Sequence, residues 1–304
     1  MTDKVHDTSR FALAQSPYLI ALRPHQWLKN FLVFIPMLAS HRLTWEIAFQ
    51  SFLAFVAFSL IASSVYVVND LADIEADRAH PRKRNRPFAS GAIPAAQGKI
   101  IALALIVPGF ALSLFVRLEF AFALLAYLAL STAYSFSLKS KLMIDIMTLA
   151  GLYTWRIVAG GIATGIVLSE WLLAFSIFFF LCLAAVKRQA ELMDRKAVGK
   201  EQAVGRGYIV ADLPIVIGMA ITAGYVSVLV MALYLSSPAI LELYARPSIL
   251  WGVCLVLLYW ISHMVMVTHR GQMHDDPLVF AIRDRISQTC LVLVAVFLLG
   301  GTLL

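Results

Sequence analysis

Four polar side chains follow a long apolar run at helical spacing, and their types suggest metal chemistry. The run covers 52–68, and Asn69, Asp73 and Asp77 come after it at intervals of four residues, with Asp70 beside them. On a helix these side chains share one face. Because like charges one turn apart repel, the stripe needs a positive partner, and Mg²⁺ binds carboxylate and amide oxygens. The spacing therefore favours a metal site, and a solvated cap at a helix end is the alternative.

A run of cations follows this acidic stripe at once. Residues 78–87 read Arg-Ala-His-Pro-Arg-Lys-Arg-Asn-Arg-Pro, and Lys83 and Arg86 within it are candidate phosphate ligands. Carboxylates that hold a metal, next to cations that neutralise negative oxygens, suit a metal-bound diphosphate better than a bare metal. The same arrangement stabilises a diphosphate as it departs in a transfer reaction.

A second group of candidate residues begins where another apolar run ends. Tyr134 lies at the end of that run, Lys139 follows it, and Asp145 lies near the start of the next. An aspartate near a helix start is commonly a partner of the helix dipole, but these residues return to the level of the first motif. Arg156 lies eleven residues further along the same run. A charge at that depth must face the bundle interior or water.

The remaining candidates are cations at the ends of apolar runs. They are Arg23, Lys29, Lys187 and Arg188. A lone cation at a helix end is often an anchor at the membrane surface, and that interpretation stands beside a role in binding phosphate.

The elements that must position these residues are membrane helices. The chain has 304 residues, of which 61% are hydrophobic and 14% charged, whereas about a quarter of a soluble domain is charged. We predict an all-α polytopic membrane protein, a bundle of nine transmembrane helices. Residues 1–18 would form an N-terminal cytoplasmic segment and 19–304 a single transmembrane catalytic domain. The nine predicted spans are 19–39, 46–68, 98–116, 119–138, 142–167, 170–186, 209–236, 248–268 and 287–304.

The distribution of positive charge orients this bundle. The nine spans place 21 of the 25 Lys and Arg residues on one side. By the positive-inside rule that side is cytoplasmic, so the N-terminus is predicted inside and the C-terminus outside. The net charge of +7 then belongs to the membrane surface, and we expect no nucleic acid partner. The active site is predicted at the cytoplasmic side, and a homo-oligomer is left open.

The first motif resembles that of the UbiA superfamily of intramembrane prenyltransferases. It has the form Asn-Asp-x-x-Asp-x-x-x-Asp directly after the second span, and the resemblance covers essentially the whole chain. The usual second motif, Asp-x-x-x-Asp, is replaced by the single Asp145. Together with Arg-Pro-x-Gln-Trp-x-Lys-Asn at 23–30 and Asp-Arg-x-His-Pro-x-Lys-x-x-Arg-Pro at 77–87, this departure is similar to the decaprenyl-phosphate phosphoribosyltransferase branch.

This resemblance implies a reaction as well as a fold. A 5-phosphoribosyl group would pass from phosphoribosyl pyrophosphate to a decaprenyl-like polyprenyl phosphate in the bacterial inner (plasma) membrane. Pyrophosphate would leave, and Mg²⁺ would be the cofactor. The product would serve as a cell wall precursor.

The resemblance also implies roles for the candidate residues. The metal and diphosphate ligands would be Asn69, Asp73 and Asp77, with Asp70 in support. The second wall, which would hold the ribose and its 5-phosphate, would be Tyr134, Lys139 and Asp145. Charge for phosphates would come from Arg23, Lys29, Lys83, Arg86 and Arg156, with Lys187 and Arg188 as further candidates. The catalytic set is Asp73, Asp77, Asp145 and Lys139.

Two other functions are alternatives to phosphoribosyl transfer, and each predicts a sequence feature of its own. A prenyltransferase that moves a polyprenyl group from its diphosphate to an aromatic or other acceptor should have a second carboxylate four residues from Asp145, which the sequence lacks. A transporter should have broken helices and polar residues at the bilayer midplane. Arg156 is the main deep charge, so transport is the least favoured of the three.

Overall fold

The computed structural model describes residues 16–79, 83–199, 206–238, 240, 243–273 and 276–303. Most of the predicted N-terminal segment and residues 80–82 of the basic run lie outside this part. The α-helices, numbered in chain order, are α1 (Pro17–Leu22), α2 (Ile35–Ala39), α3 (Trp45–Ala72), α4 (Ile74–Arg78), α5 (Ala95–Val116), α6 (Leu118–Phe136), α7 (Ile144–Thr164), α8 (Glu170–Ala197), α9 (Leu213–Leu235), α10 (Trp251–His269), α11 (Pro277–Arg283) and α12 (Arg285–Leu303). Shorter 3₁₀ segments are Pro24–Phe34, Lys83–Asn85, Leu138–Ser140, Val210–Asp212 and Pro247–Leu250.

Within these residues, eight helices are long and apolar enough to cross a membrane. They are α3, α5, α6, α7, α8, α9, α10 and α12, and they match the second to ninth predicted spans. The all-α membrane fold is confirmed. Capping fixes two of the helix starts, because Thr44 Oγ1 accepts from Ile47 N before α3 and Ser169 Oγ accepts from Leu172 N before α8.

Helix α8 extends well beyond the end predicted for its span. The apolar pattern ends at 186, whereas the helix continues to Ala197. The added residues are mostly Lys, Arg, Gln, Glu, Leu, Met and Ala, which all favour helix. Loss of hydrophobicity marks where the membrane ends, not where the helix does. Lys187 and Arg188 therefore stand on a rigid helix and not in a connecting loop.

The first predicted span, 19–39, differs from a single helix. Helix α1 ends at Leu22, and Arg23 has φ 50° and ψ 57°. A residue before proline is disfavoured in the right-handed helical region, so Pro24 accounts for the break. The chain then continues as a 3₁₀ segment from Pro24 and as α2. The ninth membrane crossing stays a prediction.

Helix α7 lies at the centre of the bundle. Its residues contribute to the buried cluster shared with α8, α9 and α10, and also to the cluster shared with α3 and α6. The 3₁₀ segment packs directly on it, because a Cβ at Gly160 would lie 2.2 Å from Val33 O. Backbone contact of this kind holds the 3₁₀ segment against α7. We term α1, this 3₁₀ segment and α2 together the first segment.

The candidate residues gather at one end of the bundle. Because successive spans alternate in direction, the ends of α3, α6 and α8 meet the start of α7 there. Asn69 Nδ2, at the end of α3, donates to Ser135 Oγ, near the end of α6, at 2.8 Å. This end is the candidate site, and its cytoplasmic location stays a prediction.

Candidate active site

Cations hold the buried carboxylates of the first motif. Arg86 Nη1 donates to Asp70 Oδ1 at 3.1 Å and to Asp77 Oδ2 at 2.7 Å, so one nitrogen joins both groups. Arg23 Nη2 donates to both oxygens of Asp70 at 2.7 and 2.9 Å. Lys83 Nζ lies 3.9 Å from Asp77 Oδ1. These five residues form what we term the first-motif cluster. Asp70 is 3% exposed and Asp77 2%, and a buried carboxylate costs free energy unless it has such partners.

The predicted helical register continues through the first motif. Helix α3 ends at Ala72, yet Asp73 N bonds to Asn69 O at 3.0 Å and Asp77 N bonds to Asp73 O at 2.8 Å. Asn69 uses its amide nitrogen on Ser135, which leaves its carbonyl oxygen available. Asp73 is half-buried, and among the described residues its carboxylate has no hydrogen bond or ion pair. Two oxygen donors beside the cluster are thus uncommitted.

The oxygen donors of the first motif are suited to a divalent cation only in part. In the described part of the chain, no three Asp, Glu, His or Cys side chains converge on one point. Two carboxylates nevertheless share the single nitrogen of Arg86, so a positive charge is already required between them. All the available donors are oxygens, which suits a hard cation such as Mg²⁺. The residues fit a cation that takes most of its ligands from phosphate and water.

A second buried ionic group surrounds Asp145 at the start of α7. Arg206 Nη1 donates to Asp145 Oδ1 at 3.0 Å, and Tyr134 Oη donates to the same oxygen at 2.9 Å. Arg188 Nη2 lies 2.7 Å from Asp145 Oδ2 without hydrogen-bond alignment. Arg188 Nη1 also pairs with Glu191 Oε2. We term these five residues the Asp145 cluster.

The Asp145 cluster is closed to solvent at its centre. Asp145 and Arg188 both have 0% exposure, so neither can touch a substrate while the cluster is intact. Tyr134 is only partly buried and remains within reach of the site. Lys139, in the adjoining 3₁₀ turn, is also partly buried, and its carbonyl oxygen is 3.5 Å from Arg206 Nη1. The sequence interpretation grouped Tyr134, Lys139 and Asp145, and the structure does bring them together.

A third ionic group centres on Asp276, directly before α11. Lys29 Nζ donates to Asp276 Oδ2 at 2.7 Å, and Lys187 Nζ donates to the same oxygen at 3.1 Å. Tyr153 Oη donates to Oδ2 at 3.1 Å. Burial alone would raise the pKa of Asp276, but the charges of Lys187 and Lys29 outweigh it and hold that pKa well below its usual value. We term these four residues the Asp276 cluster.

A cavity of about 240 Å³ is lined by residues of all three groups. Arg23 of the first-motif cluster lines it, as do Lys29, Lys187 and Asp276. Its other lining residues are Gln26, Tyr66, Ala190, Glu191 and Asp194. Since cations from separate elements face one space, the cavity suits a ligand with more than one anionic group.

Arg156 lies deeper in the bundle and is bound by neutral groups. Its Nε donates to Asn30 Oδ1 at 3.0 Å, its Nη2 donates to Tyr127 Oη at 3.1 Å, and its Nη1 donates to Leu152 O. Among the described residues no carboxylate lies within ion-pair distance of it. Three aromatic rings lie around the guanidinium: Phe58, Tyr127 and Tyr153. The prediction that Arg156 faces the bundle interior is confirmed.

Sequence reasoning missed several members of these groups. Asp276 and Arg206 lie in connections between apolar runs and belong to no spaced motif, and Tyr153 lies within an apolar run. Asp276 precedes Pro277, and an aspartate before proline is a common helix start. Its capping role can therefore be inferred from the sequence, but its lysine partners cannot. Each missed residue meets its partners from distant positions, and spacing along the chain carries no trace of such pairs.

A membrane-embedded helical bundle with charged side chains around a cavity at one end defines an integral membrane protein with an enclosed polar site. The profile of the UbiA prenyltransferase family matches residues 31–283. That match covers most of the chain, and the protein therefore belongs to this family. It is accordingly an integral membrane transferase.

Three relatives illustrate the similarity. NoeC of Azorhizobium caulinodans, a nodulation protein, is 38% identical over 276 residues, which is 90% of each chain. Protein y4nM of Sinorhizobium fredii is 38% identical over 272 residues, 89% of this chain and 53% of that protein, so the chain spans about half of its length. The decaprenyl-phosphate phosphoribosyltransferase of Mycobacterium tuberculosis is 42% identical over 177 residues, 57% of this chain and 59% of that enzyme.

A solved structure shows the same fold. A UbiA homologue from Archaeoglobus fulgidus, bound to GPP and Mg²⁺, superposes with a TM-score of 0.67. The two chains are 15% identical, and the match covers 94% of this chain and 98% of the other. The arrangement of helices is therefore shared, although few residues are.

Proposed function

We propose that this protein transfers a 5-phosphoribosyl group from phosphoribosyl pyrophosphate to a polyprenyl phosphate. The observation that carries the proposal is the pair of cation groups around one cavity. Arg23 approaches from the first-motif cluster, and Lys29 and Lys187 approach from the Asp276 cluster. Two phosphorylated substrates need two anion sites, whereas a prenyl diphosphate with a neutral acceptor needs only one. The similarity to the mycobacterial phosphoribosyltransferase supports the same choice.

The first-motif cluster is proposed to bind the diphosphate. Asn69, Asp73 and Asp77 would hold Mg²⁺, which supplies a positive charge that stabilises the leaving pyrophosphate. Arg86 binds Asp70 and Asp77 through one nitrogen, and its remaining donors are suited to phosphate oxygens. Asp70 keeps Arg23 in place at the cavity wall. Lys83 is half-exposed and adds charge at the rim.

The Asp145 cluster is proposed to position the ribose side of the site. Asp145 orients Tyr134 by accepting a hydrogen bond from its hydroxyl, and Arg188 and Arg206 fix Asp145 in turn. Tyr134 and Lys139 are the members of this wall with exposed surface. Asp145 and Arg188 are buried, so we assign them to positioning and not to direct contact.

The chemistry requires little acid or base catalysis. The phosphate of the acceptor lipid is ionised near neutral pH, so one of its oxygens can attack ribose C1 directly. The bond from C1 to the pyrophosphate oxygen breaks, and the electron pair leaves with pyrophosphate. Lys29, Lys187 and Arg23 line the cavity, where they would offset the negative charges of both substrates. Arg156 would supply further positive charge from its position deeper in the bundle.

The second candidate is prenyl transfer from a polyprenyl diphosphate to an acceptor. The first-motif cluster by itself could bind that diphosphate, and the family match over residues 31–283 includes every site residue except Arg23 and Lys29. The two reactions differ in which substrate carries the diphosphate. A single assay can therefore distinguish them.

The proposed transfer can be tested with purified protein, Mg²⁺ and labelled substrates. Labelled phosphoribosyl pyrophosphate with polyprenyl phosphate should give labelled lipid, while polyprenyl diphosphate with an aromatic acceptor should not. Chelation by EDTA should abolish the transfer, and added Mg²⁺ should restore it. Label that enters a product only in the second pairing would refute phosphoribosyl transfer.

Two variants and a control test the metal ligands in the same assay. Asp73→Asn and Asp77→Asn should each lower turnover by about 100-fold or more, because an electrostatic contact to the leaving group is lost. Glu75→Gln changes an exposed carboxylate of the same motif, and it should leave turnover nearly unchanged. Near-normal activity in both aspartate variants would exclude them as metal ligands.

A further inference from the structure

The two oxygens of Asp276 have different tasks. Oδ2 accepts from both lysines, whereas Oδ1 accepts from Leu278 N at 3.2 Å and so caps α11. The Tyr153 hydroxyl lies within hydrogen-bond distance of both oxygens, 3.1 Å from Oδ2 and 3.3 Å from Oδ1. Rotation of the carboxylate could release the lysines, and the backbone need not move for this. Lys29 comes from the first segment and Lys187 from α8. Asp276 belongs to neither element, and the two lysines meet at its carboxylate.

Positive charge exceeds negative charge around this meeting point. Lys29 and Arg156 both approach the ring of Tyr153, with Lys29 Nζ and Arg156 Cζ each 5.6 Å from its centroid. Lys187 adds a third cation, and Asp276 is the carboxylate bonded to the two lysines. Arg156 is held by neutral groups alone among the described residues. Lys29 and Lys187 thus bring two positive charges to one carboxylate, in a cavity that Glu191 and Asp194 also line.

We propose that Lys29, Lys187 and the Tyr153 hydroxyl form a subsite for a phosphate monoester, and that Asp276 occupies these donors until the phosphate displaces it. A phosphate monoester carries a charge of about −1.5 to −2 near neutral pH, which is close in size to the two positive charges of Lys29 and Lys187. Its oxygens accept charge-assisted hydrogen bonds as the carboxylate oxygen does. Lys29, Lys187 and Asp276 line the 240 Å³ cavity, so a phosphate there can reach both lysines. The Tyr153 hydroxyl is reached when Asp276, to which it bonds, gives way.

This inference deepens the proposed function, on which it rests, because both substrates of that reaction carry a phosphate monoester. One is the headgroup of the polyprenyl phosphate, and the other is the 5-phosphate of the ribose donor. The chemistry of recognition is the same for both. Binding measurements with each substrate fragment separate the two sources.

Binding of farnesyl phosphate and of ribose 5-phosphate to the detergent-purified protein tests the subsite by calorimetry. Asp276→Asn removes the competing charge but keeps a good helix cap, so one of the two ligands should bind about tenfold more tightly. Lys187→Met should weaken the same ligand about tenfold. Farnesol, which lacks the phosphate, should respond to neither change. The ligand that responds identifies the source.

Asp212→Asn is the matched control, because Asp212 caps a turn at the same end of the bundle and accepts from Ile209 N. It should leave both affinities unchanged. If Asp276→Asn weakens both ligands or changes neither, the displacement is refuted. If that variant does not fold, as judged by its melting temperature, unchanged binding to Lys187→Met refutes the subsite. The binding test does not depend on turnover, so its outcome is independent of the transfer assay. If the protein binds phosphate at this subsite but transfers no phosphoribosyl group, the proposed reaction is refuted and the subsite is not.

Discussion

Neighbouring residues of α8 serve two different ionic groups. Lys187 Nζ bonds to Asp276, whereas Arg188 Nη2 lies against Asp145. Successive side chains on a helix point about 100° apart, so one helix can face the cavity with one residue and the protein interior with the next. Lys187 keeps 26% of its side-chain surface exposed and Arg188 keeps none. We therefore expect Lys187 to affect ligand binding and Arg188 to affect stability.

Asp145→Asn should destabilise the protein before it affects chemistry. The change leaves Arg188 buried with its charge poorly compensated, and breaking a buried pair in this way costs about 3–5 kcal/mol. A large fall in the melting temperature of the purified protein is expected. Asp212→Asn, at a site with an exposed carboxylate, should shift it little. An unchanged melting temperature with lost turnover would instead support the direct contact with substrate that the sequence suggested.

The long helices set the distances between the ionic groups. α3 presents the first motif at its end, and α8 continues past the apolar limit so that Lys187, Glu191 and Asp194 face the cavity. The central helix α7 carries Asp145 in its first turn and Tyr153 further along, where it meets the Asp276 cluster. The first segment can reach this cluster through Lys29 only because it packs closely on α7.

Gly160→Ala should disrupt this close packing. An added Cβ would lie 2.2 Å from Val33 O, a backbone atom that cannot move without shifting the first segment. We expect a loss of about 1–3 kcal/mol and a lower melting temperature. Binding of a phosphate ligand should weaken as well, since Lys29 follows the segment.

Gly151→Ala on the same helix is the control for that prediction. A Cβ there meets no atom within 4 Å, and alanine favours helix over glycine by up to about 1 kcal/mol. Its melting temperature should be equal to or above that of the wild type. Equal effects of the two substitutions would show that helix propensity, and not the contact with Val33, governs the result.

At the scale of the whole molecule, the point to test is the orientation of the bundle in the membrane. The N-terminal side is predicted inside from the distribution of Lys and Arg. The first segment contains both Arg23 and Lys29, which the site uses, and its path through the membrane decides whether the N-terminus and the site lie on one side.

Single cysteines at exposed positions can test this topology. Ser16→Cys and Lys196→Cys should react with a membrane-impermeant maleimide only after permeabilisation, whereas Arg42→Cys should react in intact cells. All three positions are exposed or lie at a rim, and the native Cys182, Cys254 and Cys290 are buried, so background labelling should be low. Labelling of Ser16→Cys and Arg42→Cys from the same side would mean that the first segment does not cross.

The sequence by itself determined the class of fold, eight of the spans and the first motif. Hydrophobic length and helical spacing are local properties, because desolvation and hydrogen bonding act along the chain. Only the tertiary structure decided which cation meets which carboxylate. Lys29 and Asp276 lie 247 positions apart, and their contact depends on how the first segment packs on α7. Burial, not residue type, likewise separated Asp145 and Arg188 from the residues that line the cavity.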